Sequence, residues 1–236
     1  MALGHRISSR RRLTASIAAG IAVIVVVVAV IAIAGSGSSS SAAKTGSSSS
    51  APKAGSNARS GPAAGGTVGT VSSVSASSFT VSTSAGEKVT VKKASSTTYR
   101  NRTSATSASA IKKGNPVLVL GTTNGTTITA TQVVVHPASG GSTSFTPSKV
   151  VPFKRGAPST SKQDGQIPAN YSQGSGTIVG GATANSATKA ALGAYPGGVV
   201  DRVVKLSNGE YEVHNIGVNW PHHIFVNRSF KVVGAN

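Results

Sequence analysis

The chain has 236 residues, of which only 4% are aromatic and 12% are charged, fewer of both than a single well-filled globular domain usually contains. It has no cysteine, which excludes disulfide bonds, thiolate metal sites and a cysteine nucleophile. The net charge of +18 favours anionic partners. We therefore expect small folded modules separated by unstructured stretches.

The N-terminal part of the chain predicts export. Residues 13–34 contain no charged side chain and would form a helix of ~33 Å, close to the thickness of a hydrocarbon core. Arginines in residues 1–12 place that tail in the cytoplasm, so we expect a single-pass transmembrane helix with the rest of the chain outside. The alternative is a secreted protein cleaved after Ala34, because residues 32–34 fit an A-x-A site. The run "SRRRL" also resembles a twin-arginine signal.

Two stretches, 35–65 and 138–181, are rich in Ser, Gly, Ala, Thr and Pro and lack apolar periodicity. Such segments bury too little apolar surface to fold, so we expect both to be disordered linkers. They divide the exported region into a module at 66–137 and a module at 182–236.

The first module shows the two-residue alternation of short β-strands. Turn residues stand at Ala85–Gly86 and at Asn124–Gly125, the second pair being typical of a tight hairpin. Five short strands with one long connection predict a small antiparallel barrel. The runs "GTVGTVSSVSASSFTVSTSAGEKVTVKKASSTTY" and "IKKGNPVLVLG" resemble an uncharacterised bacterial extracytoplasmic domain family with an OB-like barrel. That resemblance implies a fold and no biochemical role.

The second module begins with alanines at helical spacing, and Asn185 or Ser186 could cap the helix. Strand patterns follow, which predicts an α+β module of one helix on a four-stranded antiparallel meander. In this meander we expect His214 to lie opposite about Phe225, and Phe225 to pack with Tyr211. The runs "YPGGVVDRVV", "EYEVHNI" and "IFVNRSFKVV" resemble the PepSY domain of bacterial envelope proteins. This resemblance implies an extracytoplasmic binding or peptidase-modulating module.

The stretch 211–230 holds the only tryptophan and three of the five histidines. His222 and His223 are neighbours, so on an extended strand they point to opposite faces. With His214 only diagonal to His223, too few ligands converge for zinc, and we expect no metal. Trp220 either caps the core or forms a contact surface. These four residues are candidate partner-binding residues.

The basic side chains of the first module are further candidates for partner binding, namely Lys88, Lys92, Lys93, Lys112 and Lys113. They suit anionic lipid or wall polymer. Nucleic acid is disfavoured, because binding of single strands also needs aromatic stacking platforms and this module offers only Phe79 and Tyr99.

No nucleophile elbow, P-loop or dinucleotide fingerprint occurs, so we expect neither catalysis nor a cofactor. The sequence thus predicts a membrane-anchored protein of the bacterial cell envelope with extracytoplasmic binding or regulatory modules. Two alternatives remain, a modulator of a secreted peptidase and a secreted binder of anionic polymer or nucleic acid. The sequence leaves the oligomeric state open.

Overall fold

A computed structural model of the chain describes residues 61–137 and 149–236, all of which belong to one compact unit within residues 49–236. The predicted tail 1–12 and the predicted membrane segment 13–34 lie outside the described residues. Within the two described ranges, no helix is both long and apolar enough to cross a bilayer.

The first part of the described chain is built from six strands and one turn of 3-10 helix. They are β1 (Ala63–Val74), β2 (Ser78–Ser82), β3 (Lys88–Asn101), β4 (Ser104–Thr106), the 3-10 turn (Ala108–Ala110), β5 (Pro116–Asn124) and β6 (Thr127–Val135).

Five of these strands close into a barrel-like sheet. Strand β1 pairs with β2 and with β5, β2 pairs with β3, and β5 pairs with β6, all antiparallel. The ring is completed by β3 and β6, which run parallel. Alternate side chains point into the barrel and form its core, which includes Val71, Phe79, Val81, Val89, Val91, Val117, Val119, Ile128 and Val133.

The second part contains a helix, a meander and four very short strands. The elements are β7 (Val151–Pro152), β8 (Asp164–Gly165), β9 (Thr177–Ile178), α1 (Gly181–Ala194), β10 (Val199–Lys205), β11 (Tyr211–Ile216), β12 (Val218–Trp220), β13 (His223–Val226) and β14 (Val232–Ala235). Helix α1 begins at Gly181, several residues before the predicted cap, and no side chain caps it.

The predicted fold class of two separate modules is wrong, because one sheet of 12 strands runs through the described residues. Strand β1 pairs with β10 through Gly66 and Thr67, which joins the barrel to the meander. A Cβ at Gly65 would overlap the carbonyl oxygen of Val200. The absence of a side chain at this position of β1 therefore allows β10 to come close enough to pair. The outer face of the barrel also packs against the core beneath α1, through Ala64, Val68 and Leu118.

The prediction of disorder is also wrong for the described part of the second linker, which starts at Lys149. Its strands β7, β8 and β9 pair with β12, β14 and β10. The physical reason lies in the meander, whose second face carries Phe225, Val204 and Leu206. Ile167 and Tyr171 cover this apolar patch and remove it from water.

The register of the meander also differs from the expectation. His214 lies directly opposite His223, and Glu212 lies opposite Phe225. Because strand neighbours alternate between faces, Phe225 shares a face with His214 and not with Tyr211. The chain passes through β12 between β11 and β13, and β13 then pairs with β11 two residues out of the predicted register.

Candidate functional site

The directly opposed pair His214 and His223 forms the centre of a polar cleft, which we call the histidine cleft. Their ring centroids are 5.3 Å apart, with 53° between the ring planes. The cleft has a volume of about 570 Å3 and is lined by Thr160, Ser161, Lys162, Gln163, Gln173, His214, His222, His223 and Asn236. The three histidines of the 211–230 stretch therefore meet on one surface.

Each histidine of the opposed pair is held from behind by a carboxylate. His214 Nδ1 lies 2.6 Å from Asp201 Oδ1, and His223 Nδ1 lies 2.6 Å from Glu212 Oε1. An ionised carboxylate can only accept, so each Nδ1 carries the proton and donates it. Neither carboxylate bond uses an Nε2 atom. Arg202 provides a second partner for Asp201, at 3.2 Å.

Asp201 occupies an irregular position on β10, where the pairing with β11 shifts between Val200 and Arg202. Such a bulge re-aims a side chain that would otherwise follow the alternation of the strand. The bulge therefore explains how Asp201 reaches a histidine on the neighbouring strand.

Glu212 is the most unusual charge of the site, since its side chain is only 2% exposed. Besides His223, it accepts a hydrogen bond from the Tyr171 hydroxyl at 3.1 Å. The same hydroxyl lies 3.0 Å from His223 Nδ1, and the Tyr171 ring packs edge-on against Phe225 at 4.7 Å. Burying a carboxylate is costly unless it is paired and hydrogen-bonded, and this three-residue network meets that requirement.

His222 is the exposed histidine of the cleft, and its Nδ1 lies 3.3 Å from the carbonyl oxygen of Asn215. Partial burial lowers the pKa of His222, and the hydrogen bond with the Asn215 carbonyl opposes this effect; His214 and His223 lower the pKa further only when they are protonated. The net effect is a pKa of His222 below the usual value of a histidine side chain.

Across residues 61–137 and 149–236, no group of three or more His, Cys, Asp or Glu side chains is arranged to hold a metal ion. The cleft thus presents two anchored imidazoles and one exposed imidazole, and not a complete three-ligand set.

Trp220 belongs to the core and not to the surface of the cleft, being 1% exposed. Its Nε1–H donates to the carbonyl oxygen of Lys162 at 2.7 Å, and its ring meets Tyr195 edge-on at 5.4 Å. The Lys162 ammonium lies 4.2 Å from the centre of the indole ring. Trp220 therefore holds the 149–181 segment against the meander at the edge of the cleft.

A second cleft, which we call the basic groove, lies between the outer face of the barrel and helix α1. It has a volume of about 700 Å3, and its lining includes Arg100, Arg102, Lys189, Leu118, Gln132 and Phe230. None of the residues that line it is Asp or Glu. The Arg100 guanidinium donates to the carbonyl oxygen of Thr103 at 2.6 Å, which fixes its position at the groove.

The five lysines predicted as partner-binding residues line neither cleft. Lys88, Lys92, Lys112 and Lys113 are exposed, and Lys93 is half-buried. The ammonium groups of Lys88 and Lys93 bond to Ser82 Oγ and to the carbonyl oxygen of Ser75.

Sequence reasoning did not identify Asp201 and Tyr171 as partners of the histidines, or Lys189 as a third cation beside Arg100 and Arg102. Glu212 and His214 stand two positions apart, so strand alternation places both on one face, but the bond of Glu212 to His223 depends on the pairing of β11 with β13. Asp201 and Tyr171 are too distant in sequence for any such pattern.

No protein-family model, curated protein or solved structure matches this chain. The resemblances to PepSY domains and to OB-like domains stay predictions.

Proposed function

We propose that this protein is a non-catalytic binding protein of the bacterial cell envelope, and that its basic groove recognises an anionic, phosphate-bearing envelope ligand. The observation that supports the proposal is the convergence of Arg100, Arg102 and Lys189 on one groove whose lining includes no Asp or Glu. Uncompensated cations in a concave site attract anions more strongly than the same charges on a flat surface.

The chemistry of the groove favours phosphodiester groups. Guanidinium groups bind phosphate oxygens in a bidentate manner, and two of the three cations are arginines. Leu118 and the Phe230 ring supply apolar surface beside these charges. Such surface suits the glycerol or sugar units that separate phosphates, whether in a wall polymer or in a lipid headgroup.

The distribution of charge supports an anionic partner over the peptidase alternative. The chain contains five carboxylates, and two of them, Asp201 and Glu212, are engaged by histidines. The proposed location outside the cytoplasm rests on the apolar run 13–34 and the arginines before it.

Binding of the full chain in neutral detergent to soluble poly(glycerol phosphate) tests the proposal, with calorimetry as the readout. The triple variant Arg100→Gln, Arg102→Gln, Lys189→Gln removes about 1 kcal/mol per cation, which predicts roughly 100-fold weaker binding. Micelles that contain phosphatidylglycerol form a second arm and distinguish a lipid headgroup from a polymer.

The matched control is Lys88→Gln, Lys112→Gln, Lys113→Gln, which removes the same charge from exposed positions outside the groove. This control is expected to bind within a factor of about three of the unsubstituted chain, because exposed charges are screened by salt. Equal losses in the two triple variants would show that net charge acts without the groove. Binding of single-stranded nucleic acid in preference to both phosphate probes would also contradict the proposal.

A further inference from the structure

We propose that His214 and His223 form an open binding site for a divalent first-row transition ion that prefers imidazole, with Cu2+ bound most tightly. The site is separate from the basic groove, and the inference does not depend on the function proposed for that groove. The sequence-based expectation of no metal rested on a diagonal placement of these histidines, whereas the structure places them directly opposite each other.

The spacing of the two rings is the first argument. Two imidazoles that bind one ion through Nε2 at about 2.1 Å have ring centroids roughly 5.2 Å apart at a tetrahedral angle, and roughly 4.6 Å apart at the 90° angle of a tetragonal ion such as Cu2+. The observed separation of His214 and His223 is 5.3 Å. The separation of the two rings therefore fits a tetrahedral ion, and a tetragonal Cu2+ ion requires the rings to approach each other by under about 1 Å.

The second argument is the state in which each ring is held. Each Nδ1–H donates to a carboxylate at 2.6 Å, from His214 to Asp201 and from His223 to Glu212. This is the carboxylate–histidine arrangement that orients metal-binding imidazoles and makes them better ligands. It leaves the lone pair of a neutral imidazole on Nε2, the atom that binds the ion.

The third argument comes from charge. In a chain with a net charge of +18 and five carboxylates, two of those carboxylates stand behind these two rings. Glu212 is almost fully buried, and a structural role alone would be served as well by an apolar side chain. Two negative charges behind the rings offset the repulsion that a cation meets in a basic protein.

The nature of the ligand set defines the ion. Imidazole ligands suit Cu2+, Zn2+ and Ni2+, whereas Mg2+ and Ca2+ require oxygen ligands. With two protein ligands, the remaining coordination positions are open to the histidine cleft, where water or a small ligand can complete them. Among the imidazole-binding ions, the general order of affinities places Cu2+ first.

The test is a titration of the tag-free full chain in neutral detergent with Cu2+ and with Zn2+, in a His5→Gln background that removes the histidine near the N-terminus. One Cu2+ per chain is expected, with a paramagnetic resonance spectrum that shows nitrogen coupling from two imidazoles. Loss of a residue that only hydrogen-bonds to a metal ligand typically costs about 10–100-fold in metal affinity. H214Q and H223Q each remove a ligand itself, so each is expected to lower the Cu2+ affinity by at least this factor and to remove the coupling of one nitrogen from the spectrum.

D201N tests the anchoring of the ring without removing a ligand, and it is expected to weaken Cu2+ binding by about 10–100-fold while both nitrogens remain in the spectrum. H136Q is the matched control, because His136 bonds to Asn115 and does not line the cleft. Unchanged affinity and an unchanged spectrum in H214Q would overturn the proposal. His214 is partly exposed, so circular dichroism is expected to show that this variant folds.

Discussion

The substitution Phe225→Ala tests how the meander is covered by the segment that precedes α1. The Phe225 side chain is fully buried and packs with Val204 and Leu206 on one side and with the Tyr171 ring on the other. Removal of a buried phenylalanine ring costs about 3–5 kcal/mol. The edge-on contact with Tyr171 contributes about 0.5–1.5 kcal/mol beyond its buried area, so we expect a loss of about 4 kcal/mol.

Urea unfolding of the full chain in neutral detergent, followed by the fluorescence of Trp220, measures this loss. At a denaturant slope of about 2 kcal/mol per molar urea, a loss of about 4 kcal/mol lowers the midpoint by about 2 M. Phe153→Ala is the control, because that ring is 58% exposed and its removal is expected to change stability by less than about 0.5 kcal/mol. A loss below about 1 kcal/mol for Phe225→Ala would refute the placement of Tyr171 over this face.

Two further predictions concern the core and the junction of the sheet. Burial, followed by the charge of Asp164 and a hydrogen bond to it, raises the pKa of Tyr195, so the folded state holds this proton more tightly than the unfolded chain. The resulting stabilisation is complete below about pH 10 and is lost as the pH rises further. Urea unfolding at several alkaline pH values should therefore show a smaller decline of the unfolding free energy for Tyr195→Phe than for the unsubstituted chain. Equal declines in the two chains would contradict the raised pKa of Tyr195. Gly66→Ala would bring a Cβ into overlap with the carbonyl oxygen of Val119 on the neighbouring strand β5. We therefore expect thermal unfolding to show a destabilisation of about 1–3 kcal/mol. An unchanged melting temperature would show that β1 and β5 can move apart without cost.

Local sequence pattern predicted the strands of the barrel well, because alternation is a property of neighbouring residues. The buried side chains of β3 and β6 alternate with exposed ones, as in Val89, Val91 and Ile128. The predicted hairpin exists, but its two loop residues are Gly125 and Thr126, since Asn124 pairs with Thr127. Only the glycine of this loop has a positive φ.

The division into modules failed because composition does not report long-range pairing. Residues 149–181 contain few large apolar side chains, yet Ile167 and Tyr171 are enough to cover an exposed patch of the meander. A segment that cannot fold alone can still be ordered by a surface that needs cover.

Sequence by itself determined the alternating strands of the barrel, the alanine-rich helix and the clustering of histidines near the C-terminus. The tertiary structure alone decided that His214 faces His223, that Asp201 and Glu212 hold the two rings, and that Arg100 and Lys189 share a groove. The physical reason is that a shift of register moves every side chain relative to the opposite strand, and the β11–β13 pairing that sets this register has no local signature. The β10 bulge that re-aims Asp201 has none either.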